Sequence, residues 1–252
     1  MDDTLYLGGY RILRTDAATL ADELIAACER REKRRVLFAN TNFIVQCRKL
    51  LPAMARPSVR IVNDGIGVDL AAWLVHRRRF ADNLNGTDFI PRLCRTSRRP
   101  LRIFLLGARP GVAERAARRL AIDYGQPVVG CCDGYDEFAA LSGRGELAAR
   151  INASGADLVL VAFGNPMQEQ WMLDNDDAID APLMFGVGAL FDFLAGEARR
   201  APAWVRKARL EWLFRLCCEP RRLLRRYTVD IVAFLSICLA AGKGTAATES
   251  IS

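Results

Sequence analysis

The stretch Val59-Arg60-Ile61-Val62-Asn63-Asp64-Gly65-Ile66-Gly67 carries the pattern that decides the fold. Val59, Ile61 and Val62 are β-branched and read as a short buried strand. Asp64-Gly65 turns the chain, and a helical pattern runs on from Val68 to Arg77. The same strand–turn–helix unit recurs on both sides. Strands are predicted at Val36–Ala39, Leu101–Leu106, Pro127–Gly130, Leu158–Phe163 and Leu183–Val187. Helical patterns lie at Ala17–Arg31, Phe43–Leu50, Val112–Tyr124, Gly145–Ala153 and Met167–Leu173. Strands apolar on both faces, alternating with helices, predict an α/β sandwich built on a parallel sheet. In such sheets ligands bind outside the carboxyl ends of the strands, which makes the polar residues there the first candidates for a site.

After Gly196 the pattern changes. Pro202 and Pro220 punctuate it, and two amphipathic helices are expected at about Trp204–Cys217 and Arg221–Leu239. The reading is a core over 1–195 and a helical appendage over 196–252. Between Arg199 and Arg226 lie ten basic residues against two acids, Glu211 and Glu219, whereas the whole chain is only +7. The basic character therefore belongs to one segment, interleaved with Trp204, Trp212, Leu213, Phe214 and Leu216. Such a strip calls for an anionic partner: a phosphate group, an anionic membrane surface or a nucleic acid.

No stretch reaches the roughly 18–20 apolar residues needed to span a bilayer, and the acidic start Met1-Asp2-Asp3 does not read as a signal peptide. None of the eight cysteines forms a C-x-x-C pair, so they are expected as reduced thiols packed in the interior. The single histidine, His76, is expected at the solvated surface, and no metal site is expected.

Five constellations follow predicted strands. Asn40-Thr41-Asn42 offers two amides and a hydroxyl that suit sugar hydroxyls; an N-cap for the next helix is the alternative. Asp64, between Asn63 and Gly65, is placed to act as a general base or to cap the helix from Val68. Leu106-Gly107-Ala108-Arg109-Pro110-Gly111 enters a helix and can offer backbone amides to a phosphate or ribose, or serve as a plain turn. It lacks the dinucleotide glycine fingerprint and a Walker lysine. In Gly164-Asn165-Pro166-Met167-Gln168-Glu169 the proline fits a helix opening, with Gln168 and Glu169 in its first turn. Gly186-Val187-Gly188 leads into Phe191-Asp192-Phe193-Leu194, whose apolar members read as core.

Taken in order, these segments resemble the WecG/TagA/CpsF glycosyltransferase family. The matching residues are Asn63-Asp64-Gly65 with Gly67, Gly86-Thr87-Asp88, Leu106-Gly107 with Pro110-Gly111, and Asp133-Gly134-Tyr135. They continue through Gly164, Pro166, Gln168-Glu169, Trp171, Gly186-Val187-Gly188 and Phe191-Asp192. Arg200-Ala201-Pro202, Trp204, Glu211-Trp212-Leu213, Arg215, Glu219-Pro220 and Arg222 complete the match over about 36–226. The resemblance implies a Rossmann-like α/β core whose helical appendage closes the active site at the membrane. It implies a bacterial inverting enzyme that takes a UDP-sugar and needs no metal or other cofactor for catalysis. The acceptor would be a polyprenyl-diphosphate-linked saccharide at the inner face of the cytoplasmic membrane, in exopolysaccharide or other cell-surface polysaccharide synthesis.

Carried over residue by residue, Asp64 matches the family's general base, Gln168 a sugar-contacting glutamine and Asn42 a pocket asparagine. Arg215, Arg222 and Arg225 match the arginines that hold the diphosphate. Asn40, Thr41, Gly107, Tyr135, Gly164, Glu169 and Asp192 complete the expected substrate-binding set. Without a metal, arginines are the available countercharge for a leaving diphosphate. Two positions depart from the pattern. Asn40 stands where many relatives have the threonine linked to the donor's N-acetyl group, and Asn83 where many have arginine. Both point to a plain hexose donor such as UDP-glucose over UDP-N-acetylmannosamine. A nucleic-acid-binding protein or a membrane adaptor would use the same basic strip, and no recognised nucleic-acid motif accompanies it.

Overall fold

An antiparallel hairpin opens the chain, with β1 (Thr4–Leu7) and β2 (Tyr10–Leu13) joined through Gly8-Gly9. The computed structural model describes residues 3–143, 145–202, 204–205, 210–218, 220, 228 and 230–241. Six further strands follow: β3 (Arg34–Ala39), β4 (Val59–Asn63), β5 (Ile103–Gly107), β6 (Val128–Cys132), β7 (Leu158–Ala162) and β8 (Leu183–Gly186). The sheet order is β1-β2-β4-β3-β8-β7-β5-β6. All neighbours but β1 and β2 pair in parallel. The expected α/β parallel-sheet core is the one observed.

Helices cover both faces. The first carries α2 (Thr41–Gln46), α3 (Ile66–His76), α6 (Asp136–Ser142), α7 (Glu146–Ala153) and α8 (Met167–Asp174), through buried residues such as Phe43, Val68, Ile151 and Met172. The second carries α1 (Ala17–Glu29), α4 (Gly86–Thr96), α5 (Val112–Tyr124) and α9 (Leu190–Leu194), through Leu20, Phe89, Leu120 and Phe191. The central strands β3, β5, β7 and β8 are buried almost throughout, which is why they read as continuous apolar runs.

Four expectations need correction. The hairpin was not expected, because two four-residue strands are too short to build a periodicity. Helix α4 was not expected either, because Pro91 interrupts its pattern. Asn85 nonetheless starts it, its side chain accepting from the Asp88 N–H at 2.9 Å. His76 is half-buried rather than solvated, with Nε2 2.6 Å from the Tyr6 carbonyl oxygen. Of the cysteines, Cys28, Cys47, Cys94, Cys132 and Cys238 are buried as expected, whereas Cys217 and Cys218 are exposed.

One buried ion pair anchors the far end of the sheet. Arg35 is fully buried, and its Nε donates to Asp176 Oδ1 at 2.5 Å. Its other nitrogens donate to the carbonyls of Ala181, Pro182, Asp176 and Ile179. Ser58 occupies the other carboxylate oxygen of Asp176 at 2.8 Å. Such a pair is costly to break, because removing one partner strands the other charge in the interior.

Beyond Gly196 the described residues include α10 (Glu211–Cys218) and a helical segment over 230–241. Ala201, Val205, Phe234 and Cys238 are buried. Phe234 and Cys238 join the first face's core cluster together with Leu7, Tyr10 and Ile44. Arg200 forms an ion pair with Asp88 at the start of α4, so one arginine at the start of the basic strip is committed to the core.

Candidate active site

The carboxyl ends of the parallel strands line up along one edge, and Asn40, Asp64, Gly107, Tyr135, Gly164 and Gln168 lie at or just after them. Asp64 directly follows β4. Its N–H donates to the Ala39 carbonyl at 2.8 Å, extending the β3–β4 pairing one residue past the strand. The helix that follows, α3, has Gly65 at its N-cap and no side-chain capping bond. The Asp64 carboxylate accepts from Asn40 Nδ2 at 3.2 Å. Asn40 fills the N-cap reading. Its Oδ1 caps α2 by accepting from the Phe43 N–H at 3.0 Å, and its nitrogen addresses Asp64.

Two neighbours fix the turn that bears Asp64. Asn83 Oδ1 accepts from the Gly65 N–H at 2.6 Å, a bond that an arginine, which has no acceptor, could not make. On the other side α3 lies tight against α2: a Cβ on Gly67 would stand 2.5 Å from Thr41 Cγ2. Thr41 and Asn42 occupy the first turn of α2, both half-buried.

From α2 the contacts pass to the β7 and β8 ends. The Asn165 amide bridges them: with its nitrogen toward Glu169 it donates to Oε1 at 3.0 Å, and its oxygen accepts from the Phe43 N–H at 3.3 Å. Gln168 is only 3% exposed and ties two loops together. Its Oε1 accepts from the N–H groups of Gly164 and Gly188, each at 3.1 Å. Its Nε2 donates to Glu169 Oε1 at 2.8 Å. The Gln168 amide is thus bonded to protein on both its atoms and forms part of the wall that joins the β7 and β8 loops.

Glu169 lies behind it with no exposure. Cys47 Sγ donates to its Oε2 at 3.6 Å. Burial pushes the Glu169 carboxyl up to about 7, and the bonds from Gln168 and Cys47 only partly oppose that shift. The same burial, with Glu169 nearby, drives the Cys47 thiol and the Tyr10 phenol upward as well.

The remaining strand ends complete the edge. Gly107 ends β5 at φ +113°, and a Cβ there would meet the Ala162 carbonyl oxygen at 2.7 Å. Only glycine allows β5 and β7 to approach this closely in that conformation. The Ala108 N–H donates to Ala162 O at 3.1 Å, and Ala108 O accepts from the Gly134 N–H at 2.8 Å. Tyr135 stands next to Gly134 with its side chain 57% exposed, and its N–H donates to Asp133 Oδ1 at 2.8 Å. Polar contacts thus run from Asp64 through Asn40, Phe43, Asn165 and Gln168 to the β7 and β8 loops, and from Ala162 on through Ala108 to Gly134.

Asp192 is half-buried in α9, its carbonyl accepting from the N–H groups of Glu197 and Ala198. Arg109, in the turn after β5, pairs with Glu197 at 3.4 Å, and Arg115 pairs with the same carboxylate at 2.6 Å. Of the three appendage arginines, Arg215 is described for its backbone alone, in α10, and Arg222 and Arg225 lie outside the described residues. Cys47 and Asn165 were missed from sequence. Nothing in the spacing marks Cys47, whereas Asn165 sits inside a quoted motif. Among the described residues no group of three or more His, Cys, Asp or Glu is placed to hold a metal ion, and no helix is long and apolar enough to cross a membrane.

A polar edge with half-buried carboxylates at strand ends, Asp64 after β4 and Asp133 after β6, suits a ligand rich in hydroxyls. The family model described as "Glycosyl transferase WecG/TagA/CpsF family" matches residues 5–247 of the 252. The chain belongs to this family, and so is a glycosyltransferase of cell-surface polysaccharide synthesis that takes a sugar donor and an acceptor.

Proposed function

We propose that this glycosyltransferase moves a hexosyl unit from a UDP-sugar to a polyprenyl-diphosphate-linked saccharide, with inversion at the anomeric carbon. The observation that carries this reading is the Asp64 carboxylate, half-buried directly after β4 and met by Asn40 Nδ2 at 3.2 Å. In the step proposed, the acceptor hydroxyl oxygen attacks the anomeric carbon of the donor. The bond from that carbon to the UDP oxygen breaks, UDP leaves with the electron pair, and Asp64 takes the hydroxyl proton. Arg215, Arg222 and Arg225 are assigned to the leaving diphosphate, where fixed guanidinium groups supply positive charge without a metal. The EC class that follows is a hexosyltransferase.

The substrate crevice runs along the strand ends. Thr41 and Asn42 offer hydrogen bonds to the sugar, Tyr135 an exposed ring at the far end, and the Gly107 and Gly164 turns a close backbone approach. Gln168, with Glu169 behind it, holds the shape of the crevice wall. Asp192 is kept in the substrate-binding set as the acid of the α9 turn. The division into a core over 1–195 and an appendage over 196–252 belongs to the same reading. The appendage meets the inner face of the cytoplasmic membrane through its basic and aromatic residues and brings the arginines to the crevice.

The donor is assigned as a plain hexose, with UDP-glucose as the type. Both polar ends of the Asn40 amide are bonded to the protein, one to the Phe43 N–H and one to Asp64. That arrangement favours a donor without a 2-acetamido group to recognise. Purified enzyme offered a panel of UDP-sugars with a polyprenyl-diphosphate-sugar acceptor is expected to release UDP from UDP-glucose; turnover of UDP-N-acetylmannosamine alone overturns the donor assignment. Deleting the residues after Gly196 is expected to abolish transfer, and a truncated core with full activity would remove the arginine assignment.

A further inference from the structure

Helix α3 is apolar on both sides. Val68, Ala71 and Ala72 pack into the core beneath it. Its outer side carries Ile66 at 43%, Leu70 at 50%, Trp73 at 39% and Leu74 at 41% exposure. These four occupy positions i, i+4, i+7 and i+8, a single stripe along the helix. A helix apolar all round is normally covered on all sides, and a contiguous uncovered stripe marks an interaction surface.

The stripe continues into charge. Arg77 ends the helix in the left-handed region at φ 55°, and its guanidinium lies 5.2 Å over the Trp73 ring. Arg78 and Arg79 follow, both exposed. Arg78 is paired with Asp3 at 2.9 Å. Apolar residues, then an interfacial tryptophan, then a run of arginines is the arrangement of a helix lying in the plane of an anionic bilayer. The helical segment over 230–241 packs on the same face of the sheet, where Val232 and Leu239 point outward seven residues apart and are also exposed.

We propose that the outer face of α3 is a membrane-docking surface, with Ile66, Leu70, Trp73 and Leu74 entering the headgroup region and Arg77 and Arg79 meeting anionic lipid. This rests on the proposed use of a lipid-linked acceptor. The consequence for the reaction is positional. Ile66 lies two residues from Asp64, so the stripe begins within roughly 7 Å of the base along the chain. A helix seated in the interface fixes the height of Asp64 above the lipid surface. The acceptor's sugar projects from that surface on its diphosphate. Anionic lipid is favoured over a second copy of this chain as the occupant, because the exposed Arg77 and Arg79 give the apolar stripe a cationic border that complements lipid phosphates.

The test uses the full chain and a Leu70→Gln/Trp73→Gln variant, sedimented with phosphatidylcholine vesicles that contain or lack phosphatidylglycerol. The wild type is expected to pellet with the anionic vesicles. The variant is expected to bind them at least about tenfold more weakly, since each buried apolar side chain contributes separately to interfacial binding. Arg77→Glu/Arg79→Glu is expected to weaken binding to anionic vesicles, with little change on neutral ones. The melting temperature is read alongside, and because all four residues are exposed it is expected to stay at the wild-type value. With a short-chain, water-soluble acceptor, all variants are expected to keep wild-type turnover. Wild-type vesicle binding by the Gln variant overturns the proposal, as does a wild type that is a dimer in solution which the variant dissociates. Failure of the proposed function would read differently: no UDP-sugar would be turned over, while the vesicle result stood by itself.

Discussion

Gln168→Ala probes the wall of the crevice most sharply. The wild-type side chain accepts from two backbone N–H groups, those of Gly164 and Gly188, each at 3.1 Å. Truncation leaves both donors without that partner. Both glycines are half-buried, so water can reach them in part, and a loss near the low end of the usual range, about 1 kcal/mol each, is appropriate. The sum, about 2 kcal/mol, corresponds to a fall of roughly 4–8 °C in Tm for a chain of this size. Urea unfolding followed by circular dichroism reads it as a lower midpoint at unchanged slope. Gln168→Glu sharpens the test. The new carboxylate can still accept both N–H groups, but it sets a second acid where Nε2 now lies 2.8 Å from Glu169 Oε1. Two carboxylates at that separation share a proton and do not both ionise. Gln168→Glu is therefore expected to match the wild type near pH 5 and to lose stability steeply toward pH 8. If Gln168→Ala stays within about 0.5 kcal/mol of wild type, and Gln168→Glu unfolds alike at both pH values, the clamp is refuted.

Two further perturbations follow from the buried groups. The Glu169 carboxyl is raised by burial from 4.5 to about 7, so its protonated form is the one the fold favours. Its contribution is complete below pH 4.5 and is lost as pH rises toward 7, by about 3 kcal/mol. Glu169→Gln is expected to flatten that part of the stability–pH curve, and an unchanged slope would show that Glu169 does not titrate there. Asp176→Ala leaves the fully buried Arg35 without its carboxylate. A loss of about 3–5 kcal/mol in denaturant unfolding is expected, whereas a loss under 1 kcal/mol would contradict the reading of that pair.

The layered fold was legible because the central strands are buried on both faces and so appear as unbroken apolar runs. Helix α5 was predicted over Val112–Tyr124 and is found there. The hairpin of β1 and β2 escaped because each strand is four residues long. Helix α4 escaped because Pro91 lies inside it. At the site, sequence placed Asp64, Asn40 and Gln168 at strand ends, but pattern alone does not reveal what each side chain touches. Asn40 was read as cap or ligand, and in the fold it caps α2 and addresses Asp64 together. Glu169 was read at the crevice, and the first turn of α8 turns it into the interior behind Gln168. Cys47 reaches Glu169 across 122 positions of sequence, a contact created only by the packing of α2 against α8.

The central claim is that Asp64 removes the acceptor proton. The direct measurement is single-turnover UDP release by Asp64→Asn, with donor and lipid-linked acceptor both saturating, beside the dissociation constant for the UDP-sugar. Asparagine keeps the shape and can still meet Asn40, but it cannot take a proton at neutral pH. The account predicts a rate roughly 10²–10⁴-fold below wild type, with donor affinity unchanged. A rate close to wild type would contradict it.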